Sequence, residues 1–251
     1  MTADIWAACG ARAAPILLDG TVLRLVESQE QVATNSLVRT LAEQALLEDM
    51  MERTKPTAPA EARHLHYLLA TPFRYPPLTY GSRFGRRSEP SLFYGARTVT
   101  ALLAEGAYYR YVFWSGMEVA PTGSLKTRHT VFSATLRTEH GLRLQDPPFN
   151  EYASALGNRS SYADTQALGT AMREAGIEGF EFTSARDARR GINVGLFSAA
   201  ALASDRPTSI TEWLCETRGE LVSYYSREAG ELREFPLDQF TVGGSLPSPA
   251  T

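Results

Sequence analysis

The chain has 251 residues, 43% hydrophobic and 21% charged, with a formal net charge of −3 and an isoelectric point near 5.9. This composition excludes a disordered or fibrous protein and allows a sizeable buried core. The acidic balance argues against a general nucleic-acid binder, which would present basic surface to the phosphate backbone.

Residues 1–20 read as a loosely organised lead-in without a basic-then-apolar leader pattern. No apolar run approaches the roughly 20 residues that span a bilayer, so a cytoplasmic protein without membrane contact is expected. Cys9 and Cys215 form no CxxC pair, which argues against a disulfide framework or structural zinc. Alternation over residues 21–27 predicts a strand. Ser28 with Gln31 fits a capping box, predicting a helix to about Arg53 with Val38, Leu41, Ala42, Ala45 and Leu46 on one face. The sequence TKPTAPAEA then reads as a linker. These features suggest an N-terminal extension over residues 1–60, a main domain over 61–245 and a frayed tail over 246–251.

HLHYLLATPF is a short apolar run, followed by a Pro- and Gly-rich ordered loop, RYPPLTYGSRFGRR. SLFYG predicts a strand and Thr98 the cap of a helix to about Ala107, followed by a buried strand over Tyr109–Trp114. Residues Thr127–Leu136 and the LRLQ segment suggest a hairpin turning at Glu139-His140-Gly141. A helix from about Tyr162 should stop at Gly176. EGFEFTS and INVGLFS predict two strands around the basic loop ARDARRG, and TEWLCETRGELVSYYSR a last hairpin. The sum is an α+β domain with a mainly antiparallel sheet.

Phosphate-binding GxxxxGK[ST], dinucleotide GxGxxG, GxSxG elbow and HExxH patterns are absent. His64 and His66 could face one way on a strand but lack a third ligand nearby, so no metal site is assigned. His129 and His140 receive no role. Residues 81–105 stand apart. Arg83 sits in a Gly-flanked loop, where its guanidinium could contact phosphate oxygens bidentately. Tyr94 closes an apolar strand. Glu105 lies three residues after Leu102, on a helix side that should meet the sheet, where an unpartnered carboxylate is costly. A polar ligand pocket resolves that cost. Arg86, Arg87 and Arg97 read as a solvated basic face. These residues alone point to a site for a phosphate-bearing ligand.

GSRF, LFYGA and ALLAE place Arg83, Tyr94 and Glu105 at intervals of eleven positions, and GIEGFEFTSARDARRGINVGLF follows with Ser184. In these segments the sequence resembles the RES-domain family, the toxins of RES–Xre toxin–antitoxin pairs, over roughly residues 64–200. The resemblance implies a fold similar to ADP-ribosyltransferases, an activity that degrades NAD or transfers ADP-ribose from it, and an Xre-like antitoxin partner. By that resemblance Glu105 would stabilise a ribosyl cation and Tyr94 would stack on the nicotinamide ring. Arg83 would hold phosphate, with Arg74 sharing that work. Ser184, with Asn193 beside it, would hydrogen-bond the ribose or nicotinamide side. Asp146 and Glu181 are the carboxylates available as a second acid. The acceptor could be phosphate, water or a protein, and a non-catalytic nucleotide-binding module is the alternative of a different class.

Overall fold

The apolar alternation that begins after Ala13 is sufficient for a longer strand than residues 21–27. In the computed structural model, which describes residues 4–28, 37–119 and 121–248, strand β1 covers Ile16–Glu27. It pairs antiparallel, nearly end to end, with the 19-residue strand β3, Leu125–Arg143. Ser28 prolongs this ladder, its N–H donating to the Arg128 carbonyl and its hydroxyl paired with that of Thr130 at 2.8 Å. Ser28 therefore caps no helix. Gln31 lies outside the described residues.

The sheet is completed by β2 (Phe93–Ala96), β4 (Gly179–Thr183), β5 (Ile192–Leu196), β6 (Ser209–Thr217), β7 (Leu221–Ser226) and β8 (Glu231–Pro236). The strand order is β1-β2-β5-β4-β3-β6-β7-β8, and the additional β1–β3 pairing closes the first five strands on themselves. All pairings are antiparallel except β3–β4. The α+β class with a mainly antiparallel sheet is therefore observed. Because β1 belongs to this sheet, residue 60 does not divide an extension from a domain.

Three further expectations are corrected. Gly141 makes no turn; β3 runs straight through it. A Cβ there would lie 2.3 Å from Leu18 Cγ, so this glycine serves the close approach of β1. Tyr109–Trp114 is not a strand, because the helix after Thr98 continues to Ser115. That helix, α4 (Val99–Ser115), buries Ala104, Ala107, Tyr108 and Tyr111, a helical spacing that the β-favouring aromatic residues obscured. His64 and His66 lie on no strand: His66 caps helix α3 (Tyr67–Arg74), and His64 is exposed 3.5 Å from Asp205.

Helix α1 (Ile5–Cys9) orders part of the lead-in and buries Ile5 and Cys9. Helix α2 covers Leu41–Thr54 and starts at a Thr40 cap, whose hydroxyl accepts from the Glu43 N–H, while the Glu43 carboxylate accepts from the Arg39 N–H. Its expected apolar face is not packed on the domain: Leu41 is 89% exposed and Leu46 60%. Short helix α5 (Ala153–Leu156) precedes α6 (Ala163–Glu174), and Gly176 follows with φ of +76°, as expected of a C-terminal cap.

Three apolar clusters fill the interior. One joins α3 to β1, β2, β3 and β5, a second lies between α4 and β6–β8, and the third gathers α1, α6, β4 and Phe84. The C-terminal segment is tied to the second: Leu246 packs there and the Pro247 carbonyl accepts from the Tyr108 hydroxyl at 2.8 Å. Residues 249–251 lie outside the described residues.

Candidate functional site

The connection from β2 into α4 is short, so the helix starts where its strand ends and its second turn returns over the sheet. β5 lies between β2 and β4, with Asn193 opposite Ala96 on one side and Phe182 on the other. Ser184 follows the end of β4. Glu105 on α4 meets both: its Oε1 accepts from the Ser184 hydroxyl at 2.6 Å and from Asn193 Nδ2 at 2.7 Å. Ser184 Oγ in turn accepts from the N–H groups of Arg186 and Asp187 at 3.1 and 3.0 Å. Its proton is thereby directed to Glu105. Two residues, 79 and 88 positions along the chain, thus fix one carboxylate oxygen, and Glu105 does lie on the sheet-facing side with Leu102.

Tyr94 anchors the loop that carries Arg83. Its hydroxyl is paired with that of Ser82 at 3.0 Å and accepts from the Phe84 N–H at 2.9 Å. Burial raises its pKa to about 12, so the phenol stays protonated. Arg83 is 7% exposed. Its Nη1 donates to the carbonyls of Leu156 and Asn158 at 3.2 and 2.7 Å, and the guanidinium lies 4.6 Å from the Tyr162 ring. Its Nη2 is buried without a protein partner. Half of the fork is structural, and the other half keeps unused donors.

Arg24, which the sequence reading missed, completes the cationic side. It lies on β1 and donates from Nη1 to the Tyr94 carbonyl at 2.6 Å; its Nε is buried without a partner. Desolvation lowers its pKa to about 10, which leaves it charged at neutral pH. An isolated arginine in an alternating strand carries no sequence signal for this role; only the sheet brings it under Tyr94.

These residues line a row of cavities with shared walls. A cavity of about 170 Å³ is bounded by Arg24, Tyr94, Glu105, Tyr109 and Asn193. One of about 290 Å³ shares Arg24, Tyr94 and Tyr109 and adds Arg83 and Tyr162. Tyr162 also borders a third, of about 890 Å³, with Tyr80, Arg86 and Arg87. Exposed Arg86 and Arg87 thus rim this outer cavity. Ser161 and Gln166 border the same space.

Other residues named from the sequence lie elsewhere. Arg74 donates to Glu52 at 2.7 Å and to the Pro56 carbonyl, joining α3 to α2, and borders none of these cavities. Arg97 is not a free surface cation: it pairs with Glu181 at 2.6 Å and donates to the carbonyls of Thr21 and Asp19. Glu181, held also by Arg143 at 3.1 Å, is committed to this clamp, and Asp146 is exposed and borders none of these cavities. Neither is placed as a second acid. Among the described residues, no group of three or more His, Cys, Asp or Glu side chains could hold a metal ion, and no helix is long and apolar enough to cross a membrane.

The model of the RES domain matches residues 58–217, more than half of the chain, including Arg83, Tyr94, Glu105, Ser184 and Asn193 but not Arg24. The chain belongs to the RES-domain family. This is the toxin-like, NAD-related family to which Arg83, Tyr94, Glu105 and Ser184 pointed. No curated protein matches the chain. β1 lies before the matched segment and β8 after it, yet both belong to the sheet that frames this RES domain.

Proposed function

We propose that this RES domain cleaves the bond between nicotinamide and ribose in NAD, and that it acts as the toxin of a pair with an Xre-like antitoxin. The observation that carries this reading is Glu105: one carboxylate oxygen fixed by Ser184 and Asn193, at a cavity that Arg24 also lines. Breaking the bond sends its electron pair to the nicotinamide nitrogen and leaves positive charge on the ribose. A fixed carboxylate stabilises that charge without reorganising at the moment of reaction. Arg24 and the unpartnered Nη2 of Arg83 suit the two charges of the pyrophosphate. The outer cavity bordered by Tyr80 and Tyr162 has room for the adenosine end. Ser184 spends its hydroxyl on Glu105, so its role here is to hold the carboxylate in place.

Purified protein incubated with NAD should release nicotinamide. Phosphate-dependent release that yields ADP-ribose 1″-phosphate assigns phosphate as acceptor, and release as free ADP-ribose assigns water. Label transferred to one protein band assigns a protein acceptor. Absence of release in every condition, cell extract included, would leave a nucleotide-binding module. Co-expression with an Xre-like helix-turn-helix protein encoded beside this one, where there is one, should relieve growth arrest.

A further inference from the structure

The outer cavity, of about 890 Å³, is larger than the other two of the row together. Arg86 and Arg87 border it, and both are exposed. Among the described residues, neither guanidinium has a hydrogen-bond or ion-pair partner. No Asp or Glu borders this cavity. The backbone beneath the two arginines is held in place. The Arg86 N–H donates to Glu89 Oε2 at 2.8 Å, and the Glu89 N–H donates to the Arg86 carbonyl at 3.1 Å. The Thr170 hydroxyl donates to Glu89 Oε1, which ties this turn to α6. Gln166, also on α6, donates to the carbonyls of Tyr80 and Ser82, both at 3.0 Å. Glu89 is the nearest carboxylate in sequence, and its oxygens are spent on the turn. Two free cations therefore stand on a fixed loop at the edge of a large cavity.

These charges discriminate between the two nicotinamide dinucleotides. With the nicotinamide end at Glu105 and the pyrophosphate beside Arg24 and Arg83, the adenosine ribose falls at the outer cavity, which adjoins the middle one at Tyr162. NAD presents a 2′-hydroxyl there and NADP a 2′-phosphate. A carboxylate accepts from the hydroxyl and repels the phosphate, whereas arginine binds the phosphate through paired N–H donors. The outer cavity has two arginines and no carboxylate. The pyrophosphate already has its cations, so Arg86 and Arg87 are surplus to NAD and suit a third phosphate.

We propose that the outer cavity binds the 2′-phosphate of NADP through Arg86 and Arg87, which makes NADP the preferred dinucleotide. The identity of the ligand rests on the placement of NAD given above. The probes are adenosine 2′,5′-bisphosphate and adenosine 5′-monophosphate, which carry no bond to nicotinamide and so report binding alone. In calorimetric titration of the full chain at low salt, the bisphosphate should bind at least about fivefold more tightly. That preference should shrink as salt screens the exposed arginines. Arg86→Gln and Arg87→Gln should each cut it about two- to fivefold, and the double variant should abolish it. A variant that disturbed the loop would weaken both probes alike and leave their ratio. In the nicotinamide-release assay, kcat/KM should favour NADP over NAD by a similar factor. Equal binding of the two probes, equal kcat/KM for the two dinucleotides, or a preference that salt or the double variant leaves intact overturns the proposal. Preference for the bisphosphate without nicotinamide release from either dinucleotide would support the phosphate site and refute NAD cleavage. Release without the preference would do the reverse.

Discussion

Replacing Glu105 by glutamine keeps the shape of the site and removes its charge. The amide oxygen can still accept from Ser184 and Asn193 at the present 2.6 and 2.7 Å, which leaves the NH₂ group where Oε2 stood. Folding stability should therefore change by less than about 1 kcal/mol. The reaction should not tolerate the change. A carboxylate about 4 Å from a ribosyl cation, at an effective dielectric of about 20, contributes roughly 4 kcal/mol, or about a thousandfold in rate. The assay is nicotinamide release at saturating NAD, with urea denaturation run on the same preparation. Alanine is the instructive contrast. It leaves the Ser184 hydroxyl and Asn193 Nδ2 unpartnered, at about 1–3 kcal/mol for each orphaned group, so both activity and stability fall. A folded Glu105→Gln protein that retains more than about a tenth of the wild-type rate would refute charge stabilisation by this residue.

Tyr94→Phe deletes the phenol that holds Ser82 and the Phe84 N–H. It should cost about 1–2 kcal/mol of stability and raise the KM for NAD, because the loop bearing Arg83 loosens; an unchanged KM would mean that the loop is held by other means. Arg97→Met leaves the buried Glu181 with Arg143 as its remaining cation and should destabilise the fold by about 2–3 kcal/mol in chemical denaturation. Adding Glu181→Leu should restore part of that loss, and a further loss instead would show that the clamp is not what holds β1 to β4. His129 has an ordinary value of 6.5 in the unfolded chain and about 4 in the folded one. The unfolded chain therefore binds the proton first as pH falls, and stability that is full above pH 6.5 is lost on the way to pH 4, by up to about 3 kcal/mol. In His129→Gln the decline between those values should be shallower, and parallel stability curves would refute the assignment.

Much of the site was legible in the chain. The equal spacing of Arg83, Tyr94 and Glu105, with Ser184 and Asn193 downstream, named residues that the fold does bring to neighbouring walls. Those residues sit in short motifs whose order survives whatever the sheet does. Arg24 was not legible as part of this site. It is a single polar residue in the apolar run VLRLV, and its partner Tyr94 lies 70 positions away.

What the sequence determined by itself was therefore local: the Thr98 cap, the Gly176 stop, the apolar runs of β2, β4 and β5, and the family motifs. Glycine misled where its use was tertiary. Gly141 looked like part of a turn and is a place where Leu18 comes close to the backbone. The tertiary structure decided the length of β3 and α4, because burial on two sides outweighs the local preference for a turn or a strand. It also decided the pairing of Glu105 with Ser184 and Asn193, 79 and 88 positions away. A carboxylate on an apolar helix face is only a question in the sequence. Its answer depends on which donors the sheet carries to it.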